Sequence, residues 1–411
     1  MENKYLKYKM KYLKLKKNIY GGVLTPGKSN PETSNNEAFA SMSLHSQSTE
    51  PRIIGKGTSG CVYKPPFKCI NNDCVNSHGS RIDRCKHGIA KIMEKGYADI
   101  EQYKYDMLKL DTIDPAFRYH FQKPHKCKPL LTSDINCPIK IEEHRMLIYD
   151  NGNEDLHTIL HQITLSNKSP EIITILLKQI LRGLLQIVEG IVLFNKNGVC
   201  HFDIKSLNII TSISSIDSLD RLDMKLIDFG MSILYDTEHP MTTSNVFNGL
   251  NGYESEHIKS IITSFYEYYS LDTLFVCLLD KSETDVPGYI AKIVSEYKNY
   301  ILEKKTDRPY YYLLNEWYEQ FRKAQIFIEL DAIYKRNSIE DIILHYLQSH
   351  DSFQFALILS EICSMTSDPQ IRAAAYKFIN KSNAIHFNPY KRCKSVDLIH
   401  HYNIFLRDIG L

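Results

Sequence analysis

The sequence predicts a bilobal α+β fold, with a β-rich N-terminal lobe and a mainly helical C-terminal lobe that carries a helical insertion. Short β-type runs crowd between residues 52 and 149, and helical periodicity dominates after Asn151. A hydrophobic content of 43% is enough for sizeable cores. We expect the first lobe at 51–149, with an insertion at 64–87, and the second at 150–411, with an insertion at about 283–385.

The composition excludes several classes of protein. Lysine plus arginine (50) nearly balances aspartate plus glutamate (48), so a specific nucleic-acid partner is not expected. A transmembrane segment is not expected either, since no apolar run approaches the ~18 residues that a span needs. We expect an intracellular protein whose ten cysteines are free thiols or metal ligands, not a disulfide framework. The oligomeric state is not indicated.

Two segments precede the first lobe. Residues 1–20 hold seven lysines interleaved with tyrosine and leucine, which predicts a basic tail. A solvated, partly helical extension is favoured over a membrane-surface or nucleic-acid-binding segment, because no second anchoring signal accompanies it. Residues 21–50 are rich in Gly, Ser, Asn, Thr and Pro, so they cannot offset the entropy of ordering and are expected to form a disordered linker.

The first lobe opens on a glycine-rich hairpin. Its strands are predicted by RIIGKG and GCVYK, followed by GIAKIM, a helix around 98–110 and HRMLIYD. Between the first two strands runs the pattern G-x-G-x-x-G-x-V. Such a hairpin can bring backbone amides onto phosphate oxygens, although an ordinary turn has the same pattern. The candidate phosphate-binding residues are Gly55, Lys56, Gly57, Thr58, Ser59, Gly60 and Val62.

Lys91 lies inside the apolar strand that follows, directly after Ala90. A lysine there either extends outward to water or holds an anion, and its place behind a glycine hairpin favours the α- and β-phosphates of a nucleotide. Glu94, Asp99 and Glu101 are candidate partners. Glu101 is chosen because IEQYKYDMLKL has apolar spacing typical of a helix.

The second lobe carries the chemical groups that phosphoryl transfer needs. After the helices predicted by EDLHTILHQI and EIITILLKQILRGLLQIVEGIVLFNKNG, capped at Gly198, residues 201–208 read H-x-D-x-K-x-x-N and residues 228–230 read D-F-G. We predict Asp203 as the base, Lys205 as the cation for the migrating phosphoryl group, and Asn208 and Asp228 as ligands of Mg²⁺, with Mn²⁺ as the alternative metal.

Together these motifs resemble the eukaryotic-type serine/threonine protein kinase family over about residues 52–407. The resemblance implies ATP in a cleft between the lobes, an adenine-binding hinge at 146–152, and transfer of the γ-phosphate to a protein substrate. Lys205 is the serine/threonine form of the catalytic loop. The lysine- and tyrosine-rich N-terminus resembles those of proteins of mimivirus-like giant DNA viruses, which implies a location in host cytoplasm or virion.

Some positions depart from the family pattern. Phe202 stands where many members have an arginine that binds a phosphorylated activation loop, so we predict activity that does not depend on phosphorylation there. The nearby hydroxyl residues are Thr237, Thr242, Thr243 and Ser244. Glu256 is predicted as the partner of Arg392, and Glu267 within YEYYSLDTLF stands where the family has aspartate.

Two alternatives stay open. A pseudokinase would use the same fold only to bind partners, but it usually lacks at least one of five polar residues that are all present here: Lys91, Asp203, Lys205, Asn208 and Asp228. A small-molecule kinase would typically lack the full glycine loop, the lysine after the base, and D-F-G.

The two insertions are interpreted conservatively. For 283–385, extra packing is favoured over a docking surface. In the first insertion Cys69, Cys74, Cys85 and His87 suggest a zinc knuckle, with Cys127 and Cys137 as other candidates. Because paired C-x-x-C units are lacking, a solvent-exposed loop is favoured over zinc binding. Cys61 is expected to be an outward-facing thiol.

Overall fold

The computed structural model describes residues 50–56, 60–70, 74, 83–131, 137, 143–213, 215–216, 222–236, 270, 288 and 323–411. The basic tail, the linker, the four hydroxyl residues after the D-F-G motif, Glu256 and Glu267 lie outside this part of the chain. The chain divides into two compact units, here called the N-terminal unit (Met1–Gln102 and Lys123–Asn151) and the C-terminal unit (Tyr103–Gln122 and Gly152–Leu411).

The N-terminal unit is built on a five-stranded antiparallel sheet with the order β1-β2-β3-β5-β4. Its strands are β1 (Arg52–Lys56), β2 (Gly60–Lys64), β3 (Ile89–Glu94), β4 (His125–Cys127) and β5 (His144–Tyr149). A four-residue helix, α1 (Arg84–His87), precedes β3. Helix α2 (Lys95–Leu108) follows it, close to the expected 98–110, and continues into the C-terminal unit. The expected mixture of helix and sheet is thereby confirmed.

Alternation along the central strands builds the core of this unit. Ala90, Ile92, Met146 and Ile148 are buried on one face of β3 and β5, where they pack with cysteines and Phe67. Lys91 falls between Ala90 and Ile92, so the strand period turns its side chain to the opposite face. In the antiparallel register Lys91 lies opposite Val62 and Leu147.

The described cysteines of this unit are paired, which corrects two expectations. Disulfides join Cys61 to Cys137, Cys69 to Cys127, and Cys74 to Cys85. The prediction of free thiols without a disulfide framework was therefore wrong for these six residues. Cys61 is fully buried instead of facing outward, because β2 turns it into the core.

The C-terminal unit is mainly helical around one large apolar cluster. Its helices are α3 (Leu110–Ile113), α4 (Leu156–Leu165), α5 (Pro170–Lys196), α6 (Lys323–Arg336), α7 (Ile339–Ser364), α8 (Pro369–Ser382) and α9 (Leu398–Asp408). Helix α5 starts with Pro170 at its first turn, buries a stripe that includes Leu177 and Leu184, and ends before Gly198, whose φ of 72° suits the predicted cap.

Helix α7 changes the interpretation of the range 283–385. The described part of that range contains α6, α7 and α8, and α7 lies in the apolar cluster with its central residues fully buried. It packs against α5 and carries polar side chains that contact residues 200–204. This stretch is thus a central part of the unit and not a peripheral addition. Within the described residues, none of the helices has the length and apolar character needed to cross a bilayer.

Candidate active site

Two short β-ribbons position the motif residues of the C-terminal unit. Strand β6 (Val199–Cys200) pairs with β9 (Ile233–Leu234), and β7 (Ile209–Thr211) pairs with β8 (Met224–Leu226). The first ribbon leads into residues 201–208, and the second leads into residues 227–231. The backbone N–H of Ile227 donates to the carbonyl of Asn208 at 3.0 Å. His201 Nε2 also lies 3.0 Å from the carbonyl of Ile227, 26 residues further along the chain, so the two motifs meet in space.

Asp203 lies at the centre of this arrangement. Its carboxylate oxygen Oδ2 accepts hydrogen bonds from Lys205 Nζ at 2.9 Å and from Asn208 Nδ2 at 2.9 Å. Asn208 Nδ2 also donates to the backbone carbonyl of Asp203 at 2.8 Å. The residue is only 7% exposed, so the carboxylate is held in one orientation by two donors.

Asp228 begins a turn on the other motif. It has φ 62° and precedes a one-turn 3₁₀ helix, Phe229–Met231. A Cβ atom at Gly230 would lie 3.1 Å from Asp228 Oδ1, so the missing side chain leaves room for that carboxylate. The carboxylates of Asp203 and Asp228 both act electrostatically on the His201 ring, which places both of them near it.

His201 is neutral and structural. Burial lowers its pKa, and the nearby carboxylates of Asp351, Asp203 and Asp228 oppose this shift only in part. Its Nδ1 accepts from the backbone N–H of Asp203 at 3.3 Å, and its Nε2 lies 3.0 Å from the carbonyl of Ile227. This pattern fits a ring protonated at Nε2, which links the two motifs.

The Phe229 ring anchors the D-F-G motif at 228–230 in the apolar core. The ring is buried and contacts Tyr105, His120, Phe194 and His201, with centroid distances from 4.6 to 6.2 Å. Edge-on aromatic contacts of this kind fix the position of a ring as well as burying it. The turn at Asp228 is therefore anchored to the core by the residue that follows it.

Asp351 of α7 is a functional residue that sequence reasoning missed. Its Oδ2 accepts from the backbone N–H of His201 at 2.9 Å, and its Oδ1 accepts from that of Phe202 at 3.0 Å. Three residues on, Gln354 accepts from the N–H of Ile204 at 2.7 Å and donates to the carbonyl of Phe202 at 3.2 Å. These bonds hold the loop backbone on both sides of residue 202, where φ is 68°.

A sequence signal for Asp351 did exist. The apolar patterns IEDIILHYLQ and FQFALILSEI are separated by Ser349, His350, Asp351 and Ser352, which suggests two helices with a polar break. The structure shows one continuous helix in which all four residues are fully buried. A run of polar residues within a buried helix indicates partners elsewhere in the fold.

Phe202 occupies an apolar site. Its ring is 1% exposed and stacks on His350 at a centroid distance of 4.4 Å, with Tyr346 edge-on at 6.0 Å. Burial lowers the pKa of His350 well below its usual value, aided by the charge of Arg392. The neighbouring imidazole is thus uncharged, and the position offers a phosphate group no cation.

Lys91 and Glu101 form the predicted pair in the N-terminal unit. Lys91 Nζ lies 3.0 Å from Glu101 Oε2, and Glu101 Oε1 accepts a short hydrogen bond from the Tyr149 hydroxyl. Asp99, another candidate, pairs with Lys126. At the end of the glycine hairpin a Cβ on Gly60 would come within 2.1 Å of the Ile92 carbonyl. Gly57, Thr58 and Ser59 lie outside the described residues.

The remaining site predictions have mixed outcomes. Arg392 is buried, donates from Nε to the His386 carbonyl at 2.9 Å and lies over the Phe353 ring; its predicted partner Glu256 is outside the described residues. His87 is largely exposed, and its Nε2 lies 3.8 Å from Asp83. It is therefore not one of the buried residues that surround the disulfides of its unit.

The C-terminal unit therefore gathers a fixed carboxylate, an ammonium group, a carboxamide and a second carboxylate, and the N-terminal unit presents a lysine–glutamate pair. The groups of the C-terminal unit can by themselves accept a proton from a hydroxyl, neutralise phosphate and bind a hard cation. The chain matches no protein-family model and no curated protein.

Proposed function

We propose that the protein is a serine/threonine protein kinase, which transfers the γ-phosphate of ATP to hydroxyls of a protein substrate. The observation that carries this proposal is the Asp203 carboxylate, which accepts from both Lys205 and Asn208 in a loop whose backbone is held by Asp351. A bilobal kinase fold belongs to the same proposal, and the antiparallel sheet and helical second unit support it.

Asp203 and Lys205 take the roles that involve the reacting groups. Asp203 accepts the hydroxyl proton as the substrate oxygen attacks the γ-phosphorus, and the bond from that phosphorus to the β-phosphate oxygen breaks. Lys205 neutralises charge on the migrating phosphoryl group. Because the two side chains are already joined at 2.9 Å, a substrate hydroxyl at the carboxylate would also be near the ammonium group.

Asn208 and Asp228 fit a hard divalent cation. Both amide hydrogens of Asn208 are directed at Asp203, so the ligand atom that it offers is the amide oxygen. Asp228 adds a carboxylate that is exposed at the surface of its own unit. Oxygen ligands of this kind suit Mg²⁺, or Mn²⁺ in its place, which when bound would neutralise the charge of the triphosphate.

Lys91 is proposed to bind the α- and β-phosphates. Glu101 and Tyr149 restrict the position of its side chain, so the ammonium group is oriented before ATP binds. The glycine hairpin, from Gly55 to Gly60, is proposed to cover the same phosphates with its backbone amides. We propose serine or threonine hydroxyls as the acceptors because a lysine at the position of Lys205 is the serine/threonine form of the catalytic loop.

The test is phosphate incorporation by the purified full chain. With labelled ATP, magnesium and a generic basic or acidic protein, we expect labelled protein, and Asp203→Asn should lower the rate by about 10²–10⁴-fold. Asp223→Asn, which changes an exposed aspartate near the same ribbon, is the matched control and should retain activity. Labelling of a small alcohol alone would replace the proposal with a small-molecule kinase, and failure to bind nucleotide would replace it with a pseudokinase.

A further inference from the structure

Four cysteine sulfurs of the N-terminal unit meet in one small volume. Cys69 is bonded to Cys127, Cys74 is bonded to Cys85, and the two pairs touch, with Cys69 Sγ 3.4 Å from Cys74 Sγ. These residues come from three separate parts of the chain and are all buried, with at most 9% exposure. The third disulfide, from Cys61 to Cys137, uses none of these sulfurs.

The backbone around the cluster is fixed independently of the sulfurs. The N–H of Ile70 donates to the Lys128 carbonyl at 2.8 Å, and the N–H of Leu130 donates to the Lys68 carbonyl. This bridge holds Cys69 beside the end of β4, where Cys127 lies. Cys85 lies on α1, whose Arg84 side chain donates to the Lys123 carbonyl at 2.9 Å. The positions of Cys69, Cys85 and Cys127 would therefore persist if the sulfur–sulfur bonds were reduced.

The contact between the two disulfides has a spacing that suits a tetrahedral metal site. Zinc–thiolate bonds of about 2.3 Å place neighbouring sulfurs roughly 3.8 Å apart, close to the contact between Cys69 and Cys74. The paired residues have Cα atoms 5.8 and 6.1 Å apart, so small side-chain rotations would bring all four sulfurs around one ion. His125 adds a ring nitrogen within 4.8 Å of the Cys69 and Cys74 sulfurs.

The charge of the surrounding chain also suits such a site. Four thiolates and one zinc ion carry a net charge of −2, and basic residues flank three of the four cysteines. These are Lys68, Arg84, Lys86, Lys126 and Lys128. Positive neighbours favour the thiolate form, which is the form that binds metal. The charge pattern therefore stabilises the bound state more than it would stabilise neutral thiols.

We propose that Cys69, Cys74, Cys85 and Cys127 bind one Zn²⁺ ion when their sulfurs are reduced, and that oxidation to the two disulfides releases it. Two equivalents of a dithiol convert both disulfides to four thiols, and binding of the ion releases the four thiol protons. In the reverse direction an oxidant takes four electrons from the four thiolates, which leaves two disulfides and free Zn²⁺. His87, suggested by the sequence, is replaced in the ligand set by Cys127.

The experiment uses the full chain, produced with zinc in the medium and purified with a phosphine reductant and no chelator. Elemental analysis should find one zinc per chain, and replacement by Co²⁺ should give the intense visible bands of a tetrahedral thiolate complex. A diazene-dicarboxamide oxidant should release the ion and form the Cys69–Cys127 and Cys74–Cys85 bonds, detected by peptide mass mapping. Protein without zinc, or a cobalt spectrum typical of octahedral oxygen ligands, would overturn the proposal.

Variants separate this ligand set from its competitors. Cys74→Ser and Cys127→Ser should each lose stoichiometric zinc, whereas the double variant Cys61→Ser, Cys137→Ser is the matched control and should retain it. His87→Ala and His125→Ala should also retain it. Loss of zinc in His125→Ala but not in Cys127→Ser would contradict the four-sulfur site. If the cysteine variants do not fold, the zinc content and cobalt spectrum of the unmodified protein still decide the outcome.

Discussion

The two units hold their functional side chains in place by different means. In the N-terminal unit Lys91 is paired with a residue ten positions away, both side chains remain partly accessible, and cysteine pairs supplement a small core. In the C-terminal unit the loop at 201–204 is bonded to Asp351 and Gln354, about 150 positions away, deep inside a large core. Local pairs can be read from a sequence pattern, whereas distant anchors depend on the packing of whole helices.

Removing the distant anchor should have the largest effect on stability. Asp351→Ala removes the acceptor of the N–H groups of His201 and Phe202 inside a fully buried region. It also removes one of the two acceptors of the Asn195 amide. We expect a loss of about 3–5 kcal/mol in the free energy of unfolding, measured by denaturant titration, together with loss of phosphate transfer.

Asp368 provides the matched control for this change. It also accepts backbone N–H groups, those of Gln370 and Ile371, but does so locally at the start of α8. Asp368→Ala should therefore cost only about 1 kcal/mol. Equal losses in the two variants would contradict the difference drawn between local pairs and distant anchors.

Lys104 is a second distant contact, and its removal should stabilise the protein. It donates to the Ser232 carbonyl at 2.9 Å without a carboxylate at that bond, and burial lowers its pKa from 10.5 to about 8. The charged form still predominates at pH 7, but it is held in the folded state at a cost in free energy relative to the unfolded chain. Lys104→Met should raise the free energy of unfolding by about 2–3 kcal/mol, after allowing for the lost hydrogen bond.

The pH dependence of this effect has a definite sign. Between pH 8 and 10.5 the unfolded chain binds more protons at Lys104 than the folded chain does, so the stability of the unmodified protein rises with pH there. The advantage of Lys104→Met should be full below pH 8 and shrink through this window. A constant difference up to pH 10.5 would mean that Lys104 titrates normally.

Breaking the local pair should affect stability less. Lys91→Met and Glu101→Gln each remove an ion pair that water reaches in part, so we expect a loss of about 1 kcal/mol or less in unfolding free energy. Under the proposed function Lys91→Met should nevertheless abolish phosphate transfer, with a smaller loss for Glu101→Gln. Lys126→Met, which breaks the neighbouring pair with Asp99, should leave activity intact. Loss of activity in Lys126→Met would indicate that breaking either ion pair weakens the sheet in general.

The smallest effect is expected from the hydroxyl residues after the D-F-G motif. Changing Thr237, Thr242, Thr243 and Ser244 together to alanine should leave activity comparable with that of the unmodified protein. The reason lies in Phe202, which is buried against His350 and offers no cation to a phosphate. The measurement is a kinetic assay of the quadruple variant. Abolished activity would show that another basic group binds a phosphorylated residue of this segment.

The sequence alone was sufficient for features that depend on short spacing. Alternation predicted β1, β2, β3 and β5, the apolar stripe and glycine predicted α5 with its end near Gly198, and helical spacing selected Glu101 as the partner of Lys91. The structure also brings the motif residues Asp203, Lys205 and Asn208 within hydrogen-bond distance of one another, as their short spacing allows. Each of these depends on backbone periodicity over at most about ten residues, which the sequence determines directly.

Only the tertiary structure decided which distant residues meet. The polar run at 349–352 appeared to separate two helices, but its Asp351 is satisfied by a loop that lies about 150 residues earlier. Cys127 contacts the cysteines of the insertion, and Cys61 is buried in the same cluster. Both follow from the sheet, which brings β2, β4 and the segment at 68–70 together. Spacing along the chain carries no information about such contacts, since their energy comes from burial and hydrogen bonding that exist only once the helices and strands have packed.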